Sequence, residues 1–300
     1  MADQAQTRGD AAHLVSENRD DARGGKFPPP GQARFQGFNR TGLWTLYSKE
    51  VRRFLKVQTQ TIWAPAITTL LFLIIFTVAL GRGDRQVLGV SFGSFVAPGL
   101  IMMGMMQNAF ANSSFSLLSG KIQGTIIDLL MPPLSEGELM AGIVLAAMTR
   151  AVAVGAALAL AIALYPGADL HLAGWGGALA IVWFGLMGAA MLSLFGLVTS
   201  LWAEKFDHNA AITTLVVAPL ALLSGTFYLI DNLAPLFQTI SRLNPFFYVI
   251  SGFRYGFLGA SDIGAGTMPV VWAGIGLGAF NLALAVICYK LLKSGWKIKA

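Results

Sequence analysis

Charge is scarce in this sequence. Only 12% of its 300 residues are Asp, Glu, Lys or Arg, roughly half the share of a soluble domain. Cysteine is nearly absent, and the lone Cys288 excludes an intramolecular disulfide framework. His13, His171 and His208 are too far apart in sequence to form a tight His/Cys metal motif. No GxxxxGK[ST] segment occurs, so the chain has no P-loop for ATP. No Ser/His/Asp or Cys/His arrangement reads as a catalytic site, and an enzyme is not expected. The formal net charge of +6 could suit nucleic acid. Most of the Lys and Arg residues instead flank apolar runs, as anchors at a membrane surface do. No nucleic-acid partner is expected.

Long uncharged runs are abundant. A helix of about 20 apolar residues crosses roughly 30 Å of hydrocarbon. Six stretches qualify: Thr61 to Leu80, Phe92 to Asn112, Leu139 to Leu164, Gly174 to Ala203, Ala210 to Ile230 and Pro269 to Tyr289. None contains Asp or Glu, and the third contains one charge, Arg150. The lack of carboxylates weighs against a proton- or sodium-coupled carrier, although backbone carbonyls can bind sodium. If transport is powered, the power comes from another polypeptide.

The remaining segments have distinct characters. Residues 1–39 are polar, with Pro28, Pro29 and Pro30 in a row, and are expected to be a disordered tail. They contain no apolar core of a signal peptide. In residues 41–60, Leu43, Leu46, Tyr47, Val51 and Phe54 repeat at helical spacing among Lys49, Arg52, Arg53 and Lys56. That pattern predicts a basic amphipathic helix at the membrane surface. Residues 243–253 are apolar but too short to cross, and Pro245 interrupts them. A re-entrant or interfacial segment between the fifth and sixth spans is expected, with a surface hairpin as the alternative. Ten Lys and Arg on the N-terminal side oppose four on the other, which places both termini in the cytoplasm.

Several residues stand out as functional candidates. After the second span, Ile122, Ile126, Leu129 and Leu130 form an apolar stripe beside Lys121, Gln123, Thr125 and Asp128, and Pro132 and Pro133 stop the helix. Such a helix covers either the bilayer or a groove on a partner. Arg150 shares a stripe with Gly142, Ala146, Ala153 and Ala157. It either points into protein or a cavity, or snorkels from a helix that protrudes into the cytoplasm. Met102, Met103, Met105 and Met106 suit adaptable packing better than a soft metal. Phe227, Tyr228, Phe246, Phe247, Tyr248, Phe253 and Tyr255 suit an interfacial belt or an exit gate. Gly274 with Gly278, and Gly185, Gly188 and Ala189, permit close helix packing within or between subunits.

With these segments in view, residues 41–293 resemble the ABC-2 type permeases, membrane subunits of bacterial ATP-binding-cassette exporters, and more narrowly their YadH-like branch. LYSKEVRRFLKVQTQTIWAPAITTLLFLIIF looks like the family's connecting helix and first span. GTIIDLLMPPLSEGEL is similar to its coupling helix, and LSGTFYLIDNLAPLFQTISRLNPFFYVISGFRYGFLG to its outer re-entrant region, with Asn244, Pro245 and Arg254 at the matching positions.

The resemblance implies an all-α integral membrane domain over residues 40–300 in the bacterial inner membrane. It implies a homodimer with two copies of a separate ATPase that binds ATP and Mg²⁺, this chain holding no cofactor. Lys121, Gln123, Thr125, Asp128 and Leu129 are then the expected ATPase-coupling contact. Arg150, Asn244, Pro245, Phe247 and Arg254 are candidates for the path or its gate. The expected cargo is a polysaccharide, a lipid-linked glycan or a hydrophobic drug. The alternatives are an ATP-independent channel or carrier, or a structural membrane component.

Overall fold

A computed structural model describes residues 37–80, 86–264 and 266–297. The first 36 residues of the expected tail lie outside the described residues. Asn39, its last residue, is buried and caps the first helix, α1 (Arg40–Leu55), its side chain accepting from Gly42 N–H. A π-helical turn, Thr59–Trp63, leads into α2 (Ala64–Leu80). The hairpin β1 (Gln86–Val87) and β2 (Val90–Ser91) pairs antiparallel, Gln86 opposite Ser91. Leu88 and Gly89 both take positive φ at its tip, as a type I′ turn requires.

The bundle proper comprises α3 (Phe92–Ile122), α5 (Glu136–Ala163), α6 (Gly174–Trp202) and α11 (Met268–Lys293). The short α4 (Ile126–Leu130) joins α3 to α5. Between α6 and α11 lie α7 (Phe206–Ile212), a second π turn (Thr213–Val217), α8 (Ala218–Leu222), a 3₁₀ turn (Ile230–Asn232), α9 (Pro235–Leu243) and α10 (Pro245–Leu258). The central helix is α3. It packs on α5 and α6, with α10 and α2 on its flanks, and it contributes more of the larger apolar core than any other helix. A second core forms at the α4 end from Leu46, Leu117, Ile143, Leu197 and Cys288.

Among the described residues four helices are long and apolar enough to cross a membrane: Thr59–Ala79, Glu136–Ala163, Gly174–Trp202 and Met268–Lys293. They coincide with the expected first, third, fourth and sixth spans. The expected second span lies inside α3, whose Asn108, Asn112, Ser113, Ser114 and Ser116 make it more polar than these four. The expected fifth span is shorter than the sequence suggested. Its helix stops at Leu222, and Gly225 turns the chain with φ +75°. Both π turns run into the same Ala-Pro dipeptide, at Pro65 and Pro219. Proline offers no N–H to the preceding turn, so the ladder widens just ahead of it.

The apolar stretch 243–253 is divided between α9 and α10, broken where Asn244 caps and Pro245 opens the new helix. At 14 residues α10 is about 21 Å long. It is largely buried against α6 and α3.

Close backbone approaches fix this packing. A Cβ on Gly196 would sit 2.3 Å from Ser113 Oγ and 2.6 Å from Phe110 O, so α6 lies against α3 there because the residue is glycine. Gly188 likewise faces Val249 and Met102, and Gly274 and Gly278 both face Trp183. These small residues serve contacts within the chain. Met102, Met105 and Met106 are buried core residues, Met105 filling the notch at Gly155.

Candidate functional site

Three polar constellations sit along α3, one near each end and one between. At the α4 end, Lys121 turns inward. Its Nζ donates to the carbonyls of Ser200 (3.0 Å), Leu201 and Ala203 (3.3 Å), capping the C-terminus of α6. Burial holds this ammonium below the usual lysine range, opposed by nearby Glu204 and slightly reinforced by Lys297. Beyond it Gly124, at φ +72°, reverses the chain into α4.

No residue of α4 is buried. Ile127 is 61% exposed and the following Met131 77% exposed, with Leu130, Gln123, Thr125 and Asp128 also facing outward. Leu129 is half-buried against the second core. Where the linker enters α5, Ser135 and Glu138 form a capping box. The Glu138 carboxylate also accepts from Asn39 N–H, and Asn39 Nδ2 donates to Pro133 O at 3.2 Å. The start of α1 is thereby tied to the base of α4.

The middle constellation lies where α1, α3 and α5 meet. Arg53 pairs with Glu50 at 2.8 Å and donates to Asn112 O (3.0 Å) and Oδ1 (3.3 Å). Arg150 turns into the bundle and donates to Asn108 Oδ1 at 2.9 Å, and Asn108 donates in turn to Gly104 O at 3.0 Å. Tyr47 and Thr149 hydroxyls lie 3.0 Å apart. Glu50, Asn108 and Asn112 are buried. None of the three was expected from the sequence. Glu50 carried a readable signal, because it shares the i, i+4, i+8 face of Leu46 and Phe54.

At the hairpin end Arg254 is fully buried. It pairs with Asp262 at 3.2 Å and donates to Gly225 O (2.8 Å) and Thr226 O (3.3 Å). Its guanidinium carbon lies 3.9 Å from the centroid of the Phe95 ring. Burial pushes the Asp262 carboxyl up and the Arg254 charge pulls it back. Asn244 accepts from Phe246 N–H and donates to Leu220 O at 2.7 Å, joining α10 to α8. Phe247 is buried beside Tyr248, their ring centroids 5.1 Å apart.

Asn244, Pro245, Phe247 and Arg254 lie along α10, Asn244 at its start and about 15 Å from Arg254. Arg150 is not among them. Phe95 and Asn108 are 13 residues apart on one helix, about 20 Å, and Lys121 is as far again. Among the described residues no group of His, Cys, Asp and Glu could hold a metal ion.

Residues 41–258 match the ABC-2 type transporter family. The chain is 37% identical to the inner membrane transport permease YadH of Escherichia coli (strain K12) over 253 residues, 84% of this chain and 95% of that one. It is 30% identical to nodulation protein J of Rhizobium leguminosarum bv. viciae over 185 residues, 61% of this chain and 67% of the relative. With nodulation protein J of Rhizobium meliloti (strain 1021) the identity is 25% over 81% of this chain and 87% of the relative.

Proposed function

Because this chain belongs to the ABC-2 type transporter family, we propose that it is the membrane permease subunit of an exporter driven by a separate ATP-binding-cassette ATPase. The observation that carries the reading is α4. A five-residue helix with no buried residue presents Ile127 and Leu130 beside Asp128, with Met131 just after it, at one end of the bundle. Such an apolar surface, rimmed by polar groups, marks a protein contact. Gln123, Thr125, Asp128 and Leu129 form or back that contact, and Lys121 anchors its root to α6.

ATP and Mg²⁺ bind to the partner, and this chain receives a push. Force on α4 reaches α3 directly and α1 through Asn39. At 31 residues α3 is about 46 Å long, so it spans from the ATPase contact to Phe95 beneath Arg254. Arg150 lies at the inner part of the path. Asn244, Pro245, Phe247 and Arg254 form its outer gate, where α9 and α10 are the re-entrant segment.

The working assembly has two copies of this chain and two ATPases in the bacterial inner membrane. Each chain crosses six times, with α1 at the inner interface and both termini in the cytoplasm. The cargo is a polysaccharide, a lipid-linked glycan or a hydrophobic drug, moved outward.

A mild-detergent pull-down of this chain with mass spectrometry tests the reading. Recovery of an ATP-binding subunit at about one to one, lost when residues 121–130 are replaced, is expected. Recovery of the permease alone, in detergent that preserves other transporter complexes, would count against it and for an ATP-independent carrier.

A further inference from the structure

A groove of about 650 Å³ runs between α1 and α5 on the outside of the bundle. Its walls are almost wholly apolar, and its size is that of a small-molecule site. Arg40 and the exposed Trp44 stand at one end, and Leu145, Met148, Val152 and Leu186 line the rest. Leu145 to Val152 covers about 10 Å of α5, and Leu186 of α6 extends the apolar end. The hydrogen bond between Tyr47 and Thr149 closes the floor.

The two ends differ in chemistry. Among the described residues Arg40 has no ion-pair or hydrogen-bond partner, so its guanidinium is free to meet an anion. An indole at the same level suits the boundary between head group and hydrocarbon. The opposite end is apolar, and the lining contains no acidic residue. A ligand complementary to both ends is negatively charged at one and a hydrocarbon chain at the other.

We infer that this groove binds one anionic phospholipid of the inner leaflet, its phosphate on Arg40 and an acyl chain along Leu145, Met148 and Val152. The seated lipid braces the helix that carries Glu50 and Arg53 against α5. This inference rests on the membrane placement proposed above but not on the ATPase.

The test uses the full chain in phosphatidylcholine vesicles doped with brominated phosphatidylglycerol or with brominated phosphatidylcholine. The chain has seven tryptophans, so the Trp44 contribution is the difference between the protein and its Trp44→Phe variant. Brominated phosphatidylglycerol should quench that component at about fivefold lower mole fraction than brominated phosphatidylcholine, the preference expected for one cation at an anionic surface. Arg40→Gln should abolish the preference while leaving quenching by phosphatidylcholine.

Equal quenching by the two lipids, or a preference unchanged in Arg40→Gln, overturns the site and leaves the membrane placement intact. Quenching of Trp44 that appears only after residues 1–36 are removed assigns the groove to the chain's own N-terminal segment and also overturns it. Absence of quenching at every tryptophan defeats the membrane placement itself.

Discussion

Arg254 shows how a single side chain can join four segments. Its guanidinium touches α3 through Phe95, the turn after α8 through two carbonyls, and the segment before α11 through Asp262. A buried ion pair is held by geometry, because both charges have left water. Removing one partner leaves the other uncompensated. Arg254→Met should therefore lower stability by about 3 kcal/mol, read as a fall in the thermal midpoint in detergent. The double variant Arg254→Met, Asp262→Leu should lose less than the single one, and a larger loss would contradict this account of the pair. Arg150 is a milder case, since Asn108 keeps its bond to Gly104 O when the Arg is gone. Arg150→Ala should alter transport or assembly. A cycle with Asn108→Ala should give a coupling of about 1 kcal/mol. Zero coupling, with full activity, would mean that Arg150 acts only as an interfacial anchor.

At the scale of elements, α4 and its root have separable tasks. Asp128→Lys changes an exposed residue, so membrane insertion and thermal stability should persist while ATPase recovery in the pull-down falls. Unchanged ATP-driven transport in that variant would remove the contact from α4. Lys121→Met leaves three carbonyls at the end of α6 without their cation and should cost about 1–2 kcal/mol, seen first in thermal unfolding. Glycine spacing gives a further check on the contact of α3 with α6. Gly196→Val forces a side chain into Phe110 O and Ser113 Oγ and should cost about 1–3 kcal/mol or more. Gly276→Ala, where nothing lies within 4 Å, should be neutral or slightly stabilising.

For the whole molecule, orientation is the property that decides which end meets the ATPase. The chain's sole cysteine, Cys288, is buried, so it gives little background to labelling. A cysteine placed at Asp231 should react with a membrane-impermeant maleimide in spheroplasts. One placed at Lys293 should react only after the membrane is permeabilised. The opposite pattern would put α4 outside and end the exporter reading.

The class of the molecule and the stations along it are legible in the order of its residues. Long uncharged runs, the amphipathic stretch at 41–60, the Pro-Pro stop after α4 and the Asn-Pro break at 244–245 are local or periodic signals. They follow from hydropathy, helical period and proline sterics, and the helices begin and end close to them. The tertiary structure alone decided which polar groups meet. Glu50 meets Arg53 on α1, yet the site is completed by Asn112 from α3, 59 residues on. Lys121 finds carbonyls 79 to 82 residues away, partners that no local pattern announces. It also decided that the fifth expected span ends early and that Asn108, the partner of Arg150, lies about 20 Å along α3 from Phe95 at Arg254. A periodic pattern tells which face of a helix is apolar. It carries no information on which neighbour that face will meet, because the partner is chosen by packing among all the helices at once.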